Sequence, residues 1–426
     1  MKIYTLPPHD KWQELMARPL AKRNEIAPLV ADIIEQVRTD KDAALRRLAL
    51  SIDKVEIDAL EVTEAEIAAA EAQISDSLKS AMALAADNIR RFHTAQHHPD
   101  VDIETTKGVR CVQRAIPIER VGLYIPGGSA PLFSTVLMLA LPANIAKCRE
   151  VILSTPPSKD GTVAPAILYA AKLCGVDKIF KVGGAQAIAA MAFGTESIPA
   201  VDKIFGPGNQ YVTEAKQQLS ARVVAVDMPA GPSEVLVIAD KSAKAAFVAS
   251  DLLSQAEHGA DSQAMLVCDS EEFANEVLNC TASQLAQLER SEIASKALEN
   301  SRIVVLESRE QIVKFANGYA AEHLIISMTE PWEVAAKITA AGSIFIGNYT
   351  PESAGDYASG TNHTLPTYGW ARSYSGVNLD SFMRKITIQE ISQLGLKAIG
   401  GAIETMASAE GLSAHRNAVT IRLKEI

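Results

Sequence analysis

The stretch Lys178-Ile179-Phe180-Lys181-Val182-Gly183-Gly184-Ala185-Gln186-Ala187-Ile188-Ala189-Ala190-Met191-Ala192-Phe193 decides how the chain is read. A short run rich in β-branched and aromatic residues ends in two glycines, and an alanine-rich apolar run follows. That is a strand over 178–182, a tight turn and a helix over 185–193, one βα unit. The alternation repeats on both sides. Strands are expected at 150–154, 203–205, 222–226 and 234–239, with helices at 134–147, 165–174 and 210–219. A second series has helices at 243–257, 271–288 and 292–298, and strands at 263–268, 302–306, 324–328 and 343–346. Strands alternating with helices predict two α/β units with parallel sheets. Ahead of them, residues 25–97 read as helix, because Ile26, Leu29, Val30, Ile33, Ile34 and Val37 recur at spacings of three and four. From Thr387 the pattern returns to helix, ending over 407–418.

Composition narrows the function. At 426 residues the chain exceeds one hydrophobic core, so roughly two to four domains are expected. With 48% hydrophobic and 22% charged residues it is an ordinary globular chain. A net charge of −10 implies no basic face for nucleic acid. The five cysteines are odd in number and none are at CxxC spacing. A disulfide framework and a thiolate zinc site are therefore not expected, and reduced thiols point to the cytoplasm. No apolar core of signal-peptide length opens the chain, and the longest apolar run, 136–146, is far short of a membrane span.

Three turns are rich in Gly and Pro: 124–131 (YIPGGSAP), 182–186 (VGGAQ) and 205–210 (FGPGNQ). Glycine lets backbone approach a ligand, and a helix N-terminus offers free N–H groups to phosphate. None matches GxGxxG. Singly, each is better read as a plain turn; clustered in one α/β unit they make a nucleotide site an equal alternative. Gln186 and Asn209 could then bond ribose or amide groups.

Polar chemistry gathers in three further stretches: 254–259 (SQAEHG), Glu322-His323, and 351–363 (PESAGDYASGTNH), read as a Gly- and Pro-broken loop. Of eight histidines, His93, His97 and His98 read as solvated at a polar helix end, and His9 sits in the N-terminal segment. Gln255 and His258, at i and i+3, share a helix face. Alone, that pair is commonly a helix-end hydrogen bond; with Asp356 and His415 it becomes a mixed N/O ligand set suited to zinc, manganese or cobalt. Glu322 beside His323 suits a general-base pair, against a surface salt bridge as the plainer alternative.

These segments resemble the histidinol dehydrogenase family across essentially the whole chain. The matching stretches are VGLYIPGGSAP at 121–131, VGGAQAIAAMAFGT at 182–195, KIFGPGN at 203–209, DMPAGPSEVLVIAD at 227–240, DLLSQAEHG at 251–259, EHLI at 322–325, PESAGDYASGTNHTLP at 351–366 and EGLSAH at 410–415. The resemblance implies a zinc-dependent four-electron oxidation of L-histidinol through L-histidinal to L-histidine, each step passing a hydride to NAD. It implies zinc ligands Gln255, His258, Asp356 and His415, substrate contacts Ser233, His323, His363 and Glu410 together with the zinc ligands, NAD contacts Tyr124, Gln186 and Asn209, and the base pair Glu322 and His323. It further implies an intertwined homodimer of incomplete Rossmann, aldehyde-dehydrogenase-like domains, in which the helical tail brings Glu410 and His415 to the neighbour's site. The implied borders are an N-terminal helical segment 1–24, a first α/β domain of 25–119 plus 235–375, an NAD-binding domain of 120–234 and a C-terminal helical tail of 376–426. Weaker alternatives are a relative acting on another alcohol such as a sulfonated diol, a metallohydrolase, disfavoured by the absence of HExxH, and a non-enzymatic zinc scaffold. A thiohemiacetal on Cys111 or Cys148 is disfavoured, because Cys148 reads as helix core.

Overall fold

The computed structural model describes residues 1–19, 23–127, 131–229 and 231–426. Residues 128–130, in the first glycine-rich turn, and 230, in the 227–240 segment, lie outside the described residues, as do 20–22. Two parallel sheets carry the chain. The first has six strands in the order Lys2–Thr5, Arg302–Val305, Gln263–Cys268, Glu234–Ala239, His323–Ser327 and Ser343–Ile346. The second has five, in the order Lys178–Phe180, Glu150–Ser154, Arg120–Tyr124, Lys203–Phe205 and Ala225–Val226. Every residue of Glu234–Ala239 is buried, which is why a continuous apolar run, without alternation, was the right signal for a central parallel strand.

Helices cover both faces of each sheet. On the second sheet, Phe133–Ile145 and Pro165–Cys174 pack in one cluster with Asp76–Thr94, and Gly184–Phe193 and Gln210–Ser220 pack in another with Arg23–Leu48. On the first, Arg309–Tyr319 lies on one face, and Ala245–Ala256 and Glu271–Leu285 on the other. In the second sheet the strand order turns back between Arg120–Tyr124 and Lys203–Phe205, and the crevice beyond the carboxyl ends at such a reversal is where α/β sheets bind ligands. Gly206, at φ +124, follows the second of these strands, and a Cβ on it would strike the Tyr124 carbonyl. Glycine is required there so that the two strands can lie this close.

The structure corrects the expected organisation at several points. The helices within 23–94 pack on the second sheet, whereas the borders implied by the resemblance put 25–119 with the first. Their apolar stripe, Ile26, Val30, Ile33 and Val37, is buried with Ile188 and Val212; a stripe shows that a helix packs, not on which sheet. The N-terminal segment, expected as helix, opens with the edge strand Lys2–Thr5, paired in parallel with Arg302–Val305. A third, antiparallel sheet of Val101–Thr106, Val109–Pro117 and Met383–Ile391 was not anticipated, and strand persists to residue 391 where helix was expected from 387. Helices Gln393–Ala409 and Ser413–Leu423 then form the expected tail. His93, expected in solvent, is buried with Nδ1 2.9 Å from the Ile89 carbonyl. Among the described residues no helix is long and apolar enough to cross a membrane.

The N-terminal segment is tied to the first sheet by Arg18. Its guanidinium grips the Glu234 carboxylate through Nε at 2.7 Å and Nη2 at 2.8 Å, donates to the Tyr319 carbonyl at 2.7 Å and lies 3.9 Å over the Tyr319 ring. Removing one partner of such a pair leaves an uncompensated buried charge. Arg18→Met is therefore expected to lower the free energy of unfolding by about 3–5 kcal/mol, read from the shift of the denaturant unfolding midpoint.

Candidate active site

Glu322 and His323 hang from Glu234, the first residue of the central strand. The backbone N–H of Glu234 donates to Glu322 Oε2 at 2.8 Å, and its carbonyl lies 3.3 Å from His323 Nδ1. The carbonyl can only accept, so Nδ1 carries the proton and Nε2 is left with a lone pair. Nε2 is buried with no hydrogen-bond partner and faces Asp356 Oδ1 at 3.7 Å. Glu322 Oε2 and Glu352 Oε1 each lie 3.6 Å from Nδ1. Ser233 immediately precedes Glu234, at the same end of the strand.

Gln255 occupies the last turn of Ala245–Ala256, and His258 follows just past the helix end, its N–H on the Gln255 carbonyl at 3.3 Å. The expected shared helix face thus becomes a shared helix terminus. Segment 351–363, expected as loop throughout, contains the short helix Glu352–Tyr357. That helix puts Glu352 and Asp356 on one face, four residues apart. Ligand atoms of His258, Glu352 and Asp356 lie within 4.8 Å of one another. His363 Nδ1 donates to the Asp356 carbonyl at 3.0 Å, so its Nε2 accepts from Thr135 Oγ1 at 3.2 Å. Thr135 belongs to the helix that opens beyond the first glycine-rich turn, so this bond joins the two sheets' halves of the site.

Burial dominates the electrostatics. It pushes Glu322 and Glu352 well above the usual carboxylate range, with neighbouring acids adding to the shift. It raises Asp356 and Asp251 to about 7, and lowers His323 to about 3 and His363 to about 4. With His323 neutral, its 3.6 Å contacts to Glu322 and Glu352 are not ion pairs. Gln255, with no exposed surface, has neither amide atom hydrogen-bonded, and Glu352 has neither carboxylate oxygen hydrogen-bonded. Orphaned buried donors of this kind, nitrogen and oxygen without sulfur, fit a divalent cation of the zinc, manganese or cobalt type, which would also draw Asp356 back to its ionised form.

The expected cofactor contacts lie at the carboxyl ends of the second sheet. Tyr124, its hydroxyl pushed up to about 12 by burial, accepts from the Gly184 N–H at 3.0 Å. Gln186 donates to Asp53 Oδ2 at 3.4 Å. The Asn209 side chain caps Gln210–Ser220 by accepting from the N–H groups of Tyr211 and Val212. Glu410 and His415 are not brought to the other site residues within this chain; both are exposed on the tail, whose last helix packs against the helix before it. Sequence reasoning missed Arg18, Glu234, Thr135 and Glu352. Only Glu352 carried a usable signal, its spacing of four from Asp356.

A crevice at the switch point of one parallel sheet, set against a buried histidine–carboxylate cluster at the amino end of another, is the arrangement of an α/β dehydrogenase. An acetylating aldehyde dehydrogenase from Geobacillus thermoglucosidasius shares the fold, at TM-score 0.50 and 16% identity over 89% of this chain and 93% of that one. The chain matches the histidinol dehydrogenase family over residues 16–423 and belongs to it. It is 58% identical, over the full length of both chains, to histidinol dehydrogenase of Bacteroides thetaiotaomicron. The crystal structure of histidinol dehydrogenase from Elizabethkingia anophelis matches at TM-score 0.98 and 53% identity, covering 100% of this chain and 98% of that one.

Burial disfavours the thiolate at three of the five cysteines. Burial raises Cys148 to about 12, Cys174 to about 12 and Cys268 to about 11, and Cys148 Sγ points at the Phe382 carbonyl, 3.8 Å away. A raised pKa keeps the neutral thiol through neutral pH. Turnover of Cys148→Ser and Cys111→Ser is expected to stay within about two-fold of the parent, as for inert structural cysteines; a loss of orders of magnitude in steady-state assays would restore the thiohemiacetal route.

Proposed function

We propose that the chain oxidises L-histidinol to L-histidine through L-histidinal, with one zinc per subunit and two NAD reduced, as the last step of histidine biosynthesis in the cytoplasm. The observation that carries the reading is His323, buried, with Nδ1–H held and Nε2 unpartnered, beside the orphaned carboxyl of Glu352. Family membership over nearly the whole chain supports it.

Gln255, His258 and Asp356 would hold zinc together with His415 of a second copy, and bound zinc would orient the substrate through its imidazole and amine. NAD, against Tyr124, Gln186 and Asn209 on the 120–234 domain, would accept the hydride. The remaining work falls to the chain. His323 takes the hydroxyl proton at Nε2, and the Glu234 carbonyl steadies the proton on Nδ1. Glu322 takes a proton from water as it adds to the aldehyde, and His323 returns its proton to the carbonyl oxygen, giving the hydrate for the second oxidation. Ser233, His363 and Glu410 position the substrate, Glu410 again from a second copy. Burial of the cluster keeps the reactive aldehyde from bulk water while the nucleotide exchanges.

NADH formed per L-histidinol consumed tests the whole reading: two are expected, abolished by a chelator and restored by zinc. One NADH would mean the aldehyde escapes, and none would mean another substrate. His323→Asn is expected to lower kcat by about 10²–10⁴-fold, the usual contribution of a positioned base. Glu322→Gln should impair aldehyde oxidation more than alcohol oxidation when each half-reaction is assayed alone, and equal losses would refute its water-activating role. Mixing inactive His415→Asn and His323→Asn subunits should restore partial activity, since both lesions can fall in one site and leave the other whole; no recovery after proven subunit exchange would exclude shared sites.

A further inference from the structure

We propose that Asn362 is a positioning residue for His363, and that His93, buried behind it, fixes which way the Asn362 amide faces. The proposal rests on the reading above in which His363 contacts the substrate.

The mechanism makes no use of His93, yet a buried imidazole needs partners. His93 has no exposed surface, and its Nδ1 lies 2.9 Å from the Ile89 carbonyl. A carbonyl only accepts, so Nδ1 carries the proton and Nε2 offers a lone pair. Burial holds His93 below the usual histidine range, so the ring stays neutral and keeps that lone pair. It faces Asn362 Nδ2 at 3.5 Å. Of the two ends of an amide, only the NH2 can be turned toward a lone pair. The same nitrogen donates to the Met138 carbonyl at 2.6 Å. Oδ1 is thereby turned the other way, where it accepts from the Thr364 N–H at 3.0 Å.

Asn362 and Thr364 flank His363, so that last bond closes a turn around it. The His363 ring is then held at both nitrogens, by the Asp356 carbonyl at 3.0 Å and the Thr135 hydroxyl at 3.2 Å. Thr135 and Met138 are three residues apart on Phe133–Ile145 and share a face. One helix face therefore meets both the His363 ring and the side chain that sets its backbone. The Asp76–Thr94 helix, which carries His93, grips the segment a second time, Asn88 donating to the Ala358 carbonyl at 2.8 Å. Gly360, at φ +108, sits so close that a Cβ on it would meet the Asn88 carbonyl oxygen at 2.8 Å. His363 is thus aimed by two helices of the second sheet's half, through one asparagine.

The test is steady-state kinetics of the zinc-loaded, full-length enzyme with L-histidinol and NAD, with unfolding midpoints measured alongside. Asn362→Leu is expected to raise the KM for L-histidinol by about 10-fold, the effect of one hydrogen bond to substrate lost, with the KM for NAD unchanged. Asn362→Asp keeps the acceptor for Thr364 but sets an oxygen against the Met138 carbonyl. It should shift KM in the same direction, and it stands in if the leucine variant fails to fold. His93→Phe should act likewise, and His93→Gln, which still presents an acceptor, should recover part of the loss. The deciding comparison is a His363→Ala background, where the Asn362 and His93 substitutions should raise KM no further, because they act through that ring. A further rise there, or an unchanged KM when they are made in the parent, would overturn the positioning role. A His363→Ala enzyme with the parent's KM would overturn the substrate contact as well.

Discussion

The buried pair of Arg18 and Glu234 is the constraint on which the site depends. Glu234 opens the central strand of the first sheet, and its backbone positions both halves of the expected base pair: the N–H holds Glu322 and the carbonyl holds the His323 imidazole. Its own carboxylate would be a further buried negative charge beside Glu322. Arg18 neutralises it with two charge-assisted hydrogen bonds and in doing so fastens the N-terminal segment across the sheet. The N-terminal segment, the central strand and the acid–base chemistry are therefore one mechanical unit.

The rest of the cluster is not compensated in this way. Glu322, Glu352 and Asp356 are pushed up and His323 and His363 pushed down by the same cause, desolvation. Desolvation of this kind favours neutral groups throughout. A bound cation would reverse that preference for the carboxylates and would leave His323 neutral, with Nε2 open to a proton. On the proposed function, a single charge would set both the ligands' ionisation and the base's readiness.

The two sheets contribute opposite ends. The second presents the carboxyl ends of its strands, where glycine-rich turns and helix N-termini gather; the first presents its amino ends, where Glu234 and His323 begin their strands. They are joined through the 351–363 segment: His363 meets Thr135, and Asn362 donates to the Met138 carbonyl at 2.6 Å. A substrate oxidised by hydride transfer needs its carbon between base and nucleotide, and on the proposed function this junction is where the two would meet.

The sequence by itself determined the local elements and the chemical inventory. Runs such as 234–239 and 263–268 read as buried parallel strands because every position is apolar or inward-facing, and the helix at 165–174 was fixed by its own pattern and its terminal Pro and Gly. Gln255, His258, Glu322, His323 and Asp356 stood out because such polar groups sat in turns and helix ends. What only the tertiary structure decided was adjacency. Nothing local states that the helices of 23–94 cover the second sheet, that Lys2–Thr5 is an edge strand, or that His93 is buried. Arg18 and Glu234 lie 216 residues apart and Thr135 and His363 lie 228 apart, and Glu352 becomes a site residue only because burial strips it of water without supplying a partner. Periodicity records which face of an element is apolar; which surface that face meets, and which polar groups are left unsatisfied there, is settled only when the whole chain has packed.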